Sequence, residues 1–201
     1  SIVAEPDNAV AVLGVDINED GNVDVVVAEY GDNLVTMWAS DGAATPGFTL
    51  AVSQKHCSGV TDIFAIRLNG DDIIDVLSAE EGTDTIALHT GIKANDGTMS
   101  IARTIVTAGE GLRAEYGYES TGCYVKDCDY SSWPETDGMS KASMAKSVWA
   151  VDLDGDNTID VLSASKTDST VAWYQNDGTS QKFLKYLINN EAYGASSVLA
   201  A

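Results

Sequence analysis

The chain has 201 residues, of which 44% are hydrophobic and 21% charged. This is a globular composition, long enough for one good core or two small ones. Its 31 acids against 11 bases leave a formal charge of -20. That balance argues against nucleic acid and anionic membrane surfaces as partners, and in favour of cations. No apolar run approaches the roughly 18 residues that span a bilayer, so no direct membrane insertion is expected. The opening at Ser1 without a Met predicts a removed leader or a parent sequence that is longer.

Taken in chain order, residues 9–15 (AVAVLGV) read as a short apolar strand. An acidic loop follows at 16–24, then the β-branched run VDVVVAE at 23–29. A turn of Gly, Asp and Asn leads to NLVTMWA at 33–39, and Asp41-Gly42 leads to FTLAVSQ at 48–54. The same order recurs in VTDIFAI, IIDVLSA, DTIALHT and IARTIVT between 60 and 107. It recurs again in AKSVWAV, TIDVLSA, STVAWYQ and FLKYLIN between 145 and 189. Period-2 patterning, β-branched residues and turn chemistry mark each run as a strand, and helical periodicity is absent. The expected fold class is all-β, with blades of four antiparallel strands at about 9–54, 59–108 and 145–190. Four-stranded units at this period are the signature of β-propeller blades, with a solenoid of β-units as the alternative. The segment 109–144 reads as an insert between blades, and 191–201 as the start of a further blade. Three units are fewer than the 4 to 8 of a closed propeller, so further blades are expected from missing sequence or another chain.

The acidic loops carry the chemistry. Asp16, Asn18, Asp20 and Asp24 occupy loop positions 1, 3, 5 and 9, with Asn22 at position 7 and Gly21 at the turn. In the last unit these become Asp152, Asp154, Asp156 and Asp160, with Thr158 at position 7 and Asn157 at the turn. Crowded carboxylates repel unless a cation sits between them. Hard oxygens without nitrogen or sulfur suit calcium, with position 7 offering its carbonyl. An EF-hand is rejected, because its twelfth position holds Val27 and Ser163 instead of Glu and the flanks read as strands. The middle unit has Arg67, Asn69, Asp71 and Asp75 at positions 1, 3, 5 and 9. A cation replaces the first carboxylate, so Arg67 is expected to stand in for the metal by pairing with Asp71 or Asp75. Two Ca2+ sites are therefore expected.

With these motifs the units resemble the FG-GAP/VCBS repeat family of integrin-α-like β-propellers, VDLDGDNTIDVLSAS at 151–165 and VDINEDGNVDVV at 15–26 being close to its wording. The resemblance covers most of the chain except the 109–144 insert. It implies a structural calcium ion in each intact loop.

The insert interleaves Tyr116, Tyr118, Tyr124, Tyr130 and Trp133 with Ser, Gly and acids. Such a mixture offers contact area at low entropy cost, and aromatic faces stack on sugars. The plainer reading is a self-packed loop. Cys123 and Cys128 can close a small disulfide there, leaving Cys57 over. Three thiols with two histidines make a poor zinc site. His56 and Cys57 are adjacent, which suggests a metal pair or a dyad, but strand neighbours point to opposite faces. No phosphate loop, nucleophile elbow or H-E-x-x-H motif appears, and no catalytic residues are expected. Two functions follow as expectations. One is a non-catalytic calcium-binding propeller segment for adhesion, protein–protein interaction or assembly, extracellular, at a cell surface or in a secretory or organelle lumen. The other is a glycan-binding module, free-standing or part of a secreted polysaccharide-active enzyme.

Overall fold

The computed structural model describes residues 8–93, 99–106, 142–180 and 182–200. Among them the chain is all-β, without a helix. The strands are β1 (Ala9–Val15), β2 (Asp24–Glu29), β3 (Leu34–Ser40), β4 (Phe48–Gln54), β5 (Val60–Ile66) and β6 (Asp75–Glu80). They continue as β7 (Thr85–Lys93), β8 (Met99–Ile105), β9 (Ala145–Val151), β10 (Asp160–Ser165), β11 (Thr170–Asn176) and β12 (Phe183–Asn189). Each consecutive set of four forms one antiparallel meander, β1–β4, β5–β8 and β9–β12. The three sheets do not close on one another. The first packs on the second and the second on the third.

Burial explains the strand wording. β6 and β10, DVLSAE and DVLSAS, are buried along their whole length. A strand buried on both faces reads as a continuous run instead of an alternating one. β12 is mostly exposed. The middle sheet separates two cores. Val76 joins Val26, Val35, Met37 and Val60 on the side of the first sheet. Leu77 joins Leu88, Val148, Val161 and Tyr174 on the side of the third. The first strands of successive sheets lie side by side, β1 by β5 and β5 by β9. Glu81 ties all three sheets together, accepting from the Tyr30 hydroxyl at 2.5 Å and pairing with Lys146.

One stitch recurs between units. The turn after each second strand has a left-handed residue: Asn33 (φ 57°), Asp84 (φ 56°) and Ser169 (φ 56°). Its carbonyl accepts a backbone N–H from the segment that leads onward: Cys57 at 3.0 Å, Ala142 at 3.0 Å and Ala192 at 2.8 Å. Two residues later comes another left-handed position, Gly59, Met144 and Gly194. Val148 N–H then donates to Asp62 Oδ2 at 3.1 Å, and Val198 N–H donates to Ser147 Oγ at 3.3 Å. Residues 192–198 thus repeat the turn that leads into the third sheet and its bond back to the preceding sheet.

Two expected results follow from these contacts. A Cβ on Gly91 of β7 would lie 2.6 Å from the Ile74 carbonyl oxygen. Backbone cannot yield as a side chain does, so Gly91→Ala should destabilise the chain by about 1–3 kcal/mol, read as a lower urea midpoint. An unchanged midpoint would show that the strand shifts freely there. The second concerns acid. Backbone N–H groups of Ala43 and Gly47 hold Asp41 below the usual carboxylate range, and the Thr179 hydroxyl and N–H do the same for Asp177. A carboxyl lowered by folding stabilises the folded chain above its unfolded pKa, and that contribution is lost as pH falls through the folded value. Asp75 opposes this, because burial raises it. Melting temperature in chelator is expected to fall on acidification below the unfolded aspartate pKa of about 3.9, and a rise there would contradict it.

Candidate metal centre

Each acidic loop is the hairpin between the first and second strands of a sheet. In the third loop, Asp152 Oδ1 accepts Gly155 N–H at 2.7 Å and Oδ2 accepts Asn157 N–H at 3.0 Å. Gly155 (φ 79°) and Asn157 (φ 69°) supply the two left-handed positions that curl the loop. Asp156 Oδ1 accepts both the N–H and the hydroxyl of Thr158, which hold its carboxyl below the usual range. The outcome is convergence. Carboxylate oxygens of Asp152, Asp154 and Asp156 lie within 4.8 Å of one another. The Gln175 amide donates to Asp154 Oδ2 at 2.6 Å. Three hard anionic donors from one curled loop fit a calcium ion. When bound, the ion would supply the positive charge that offsets their mutual repulsion.

The first loop is curled by Glu19 (φ 57°) and Gly21 (φ 88°). Asp16 accepts the N–H groups of Asp20 and Gly21 at 3.0 and 2.9 Å. Asn18 donates its amide to Asp20 Oδ2 at 3.0 Å, and Asp20 accepts Asn22 N–H at 2.8 Å. The Asn22 N–H is the largest influence holding Asp20 below its usual range. Asp16, Asp20 and Asp24 are not gathered as the acids of the third loop are. The donor types fit calcium here too, but with Asn18 tying up Asp20.

The ninth acid has a further role that sequence reasoning missed. Asp24, Asp75 and Asp160 are fully buried. In each, one oxygen accepts a backbone N–H seven residues back, from Ile17, Leu68 or Leu153 at 3.1, 3.1 and 3.2 Å. The other accepts one sixteen residues ahead, from Ser40, Gly91 or Asn176 at 2.8, 3.1 and 2.9 Å. The same bonds form in the loop that lacks the first carboxylate, so they serve the hairpin itself. The residues sixteen ahead, Ser40, Gly91 and Asn176, share no side-chain type, so the sequence carried no signal for this bond.

The second loop corrects an expectation. Arg67 pairs with neither Asp71 nor Asp75. Its Nη2 reaches Glu19 Oε1 in the first sheet's loop at 3.2 Å, and its Nε donates to the Asp72 carbonyl at 2.6 Å. Asp75 is already bonded to backbone, and Asp71 accepts the Asn69 amide at 2.8 Å and Ile73 N–H at 2.8 Å. The cation therefore joins two loops instead of filling one. Lys93 adds to this by donating to the Asn18 carbonyl at 2.6 Å.

The insert aromatics Tyr116, Tyr118, Tyr124, Tyr130 and Trp133 lie outside the described residues, as do Cys123 and Cys128. His56 is exposed while Cys57 is fully buried, so the adjacent pair does not act as one unit. Cys57 instead meets Glu80 and His89, whose donor atoms and its own lie within 4.8 Å of one another. Burial pushes the Cys57 thiol up to about 12, with the Glu80 charge adding to it. Burial also pushes His89 down to about 3, with the Arg103 charge adding to it. This cluster, between the first and second sheets, had no local sequence signature.

Compared with protein-family models and with curated proteins, the chain matches none.

Proposed function

We propose that this chain is a segment of a non-catalytic, calcium-stabilised β-propeller of FG-GAP/VCBS type that serves as an extracellular or lumenal interaction scaffold. The observation that carries the reading is the convergence of Asp152, Asp154 and Asp156 within 4.8 Å on one curled loop. Such an arrangement is stable when a hard cation offsets the repulsion. Side-by-side first strands and the repeated stitch support blades around an axis, with residues 191–201 beginning a further one. Calcium in this reading is structural. It rigidifies the hairpin ends, and the sheets between them present the surface that a protein partner meets.

The test is calcium-dependent stability. An ion that binds only the folded state stabilises by about 2.7 kcal/mol per site at a hundredfold excess over its dissociation constant. The melting temperature should therefore rise with calcium and fall in excess chelator, with magnesium a weak substitute. Identical melting curves in calcium and chelator would overturn the reading.

A further inference from the structure

The cluster of Cys57, Glu80 and His89 makes no use of calcium and does not rest on the reading above. All three side chains are fully buried, between the first and second sheets. They come from three places: the crossover after β4, the end of β6 and the middle of β7. The stitch brings the first to the others. Gly59 carbonyl accepts Glu81 N–H at 3.0 Å and Ser58 carbonyl accepts Gly82 N–H at 3.1 Å, laying the Cys57 turn against the end of β6.

The hydrogen bonds assign the protons. Glu80 Oε2 accepts from Arg103 at 2.5 Å, Thr83 at 3.1 Å and Thr85 at 3.2 Å. Its other oxygen, Oε1, accepts the Ser78 hydroxyl at 2.9 Å. That hydroxyl has one proton, given to the carboxylate, so toward His89 it can act only as an acceptor. The contact of 2.8 Å between Ser78 Oγ and His89 Nε2 therefore places the imidazole proton on Nε2. The lone pair is left on Nδ1, a fully buried atom with no hydrogen-bond partner. The Cys57 thiol lies 3.6 Å from the Gln54 carbonyl and 3.9 Å from that of Lys55, and it also meets the Glu80 carboxylate and the Val35 backbone. A buried nitrogen lone pair without a partner is costly unless something accepts it.

We propose that Cys57, His89 and Glu80 form a binding site for a thiophilic divalent cation of the zinc class. Sulfur, imidazole nitrogen and carboxylate oxygen are the three ligand types zinc takes, and three protein ligands leave one position open. Soft sulfur separates this site from the all-oxygen loops. Cys57 loses its proton on binding, and thiolate plus carboxylate then match the charge of the ion. Arg103 stays on Glu80 Oε2, and its side chain is 16% exposed. Ser78 is the outer partner that orients a ligating histidine through its other ring nitrogen. A cleft of about 560 Å³ is lined by Asn33, Lys55, His56, Ser58 and Thr83 among others, so the chain neighbours of Cys57 and the Glu80 partner Thr83 border it.

The experiment uses the chain with Cys123→Ser and Cys128→Ser, so that Cys57 is the single thiol, in excess calcium to fill the acidic loops. One equivalent of cobalt(II) should produce sulfur-to-cobalt charge-transfer absorption, displaced by zinc. Ser78→Ala should weaken zinc binding about 10–100-fold, and Cys57→Ser should abolish the absorption. No charge-transfer absorption at stoichiometric cobalt in the folded chain overturns the proposal. Should the cysteine variants fail to fold, X-ray absorption at the zinc edge of the unaltered chain decides. A shell with one sulfur, an imidazole and oxygen supports the site, and an all-sulfur or all-oxygen shell overturns it.

Discussion

Asp75→Ala is expected to destabilise the chain by roughly 2–5 kcal/mol, equally in calcium and in chelator. Asp75 is fully buried and accepts backbone N–H groups from Leu68 at 3.1 Å, Asn69 at 3.3 Å and Gly91 at 3.1 Å. Those donors belong to the loop before β6 and to β7, so one carboxylate pins a hairpin to the strand beyond it. Removing it leaves buried donors without acceptors, at about 1–3 kcal/mol each. Part of that loss is offset, because burial already disfavours the charged carboxyl and raises its pKa. An asparagine offers one acceptor oxygen where two were used, and its amide faces a donor, so Asp75→Asn should recover little. The second loop is chosen because it carries Arg67 in place of the first acid, which separates anchoring from metal binding. A urea-unfolding change under about 1 kcal/mol, or one that vanishes in chelator, would show that the anchor is not structural.

Asp156→Ala should cost more than Arg67→Ala in calcium, and the order should reverse without it. In the calcium reading Asp156 supplies charge and one bond to the ion. Losing it forfeits much of the roughly 2.7 kcal/mol that a well-occupied site contributes. Arg67 is half-exposed and makes one ion pair with Glu19, a class of contact contributing about 0–1 kcal/mol. Without metal, removing Asp156 relieves repulsion against Asp154 and Asp152 while losing only its local Thr158 bonds, whereas removing Arg67 still breaks the bridge between two loops. Melting temperatures of both variants, with and without calcium, read the order directly. Asp156→Ala being neutral or stabilising in calcium would sink the metal reading of that loop.

Much was written locally in the sequence. The strands were legible because each ladder needs only period-2 patterning, β-branched residues and left-handed turn positions within a few residues of one another. The curl of the third loop was legible for the same reason: Asp152, Asp154, Asp156 and Asn157 act on backbone groups no more than five residues away. Charge and spacing mark such a loop wherever it occurs. What only the tertiary structure decided lies between strands and between sheets. The ninth acid read as a ligand alone, and only the structure added its bond to a strand sixteen residues ahead. Arg67 looked like the partner of its own loop, but Asp71 and Asp75 were already bonded, and the carboxylate it reaches, Glu19, comes from the first sheet's loop, 48 residues away. In the sequence, Cys57 and His89 belong to a set of three thiols and two histidines that reads as a poor zinc site. Packing the first sheet against the second brought them together around Glu80. Hydrogen bonding along a chain is local and leaves a pattern of residues. Burial between two sheets joins residues of any separation, and no spacing rule records which ones will meet.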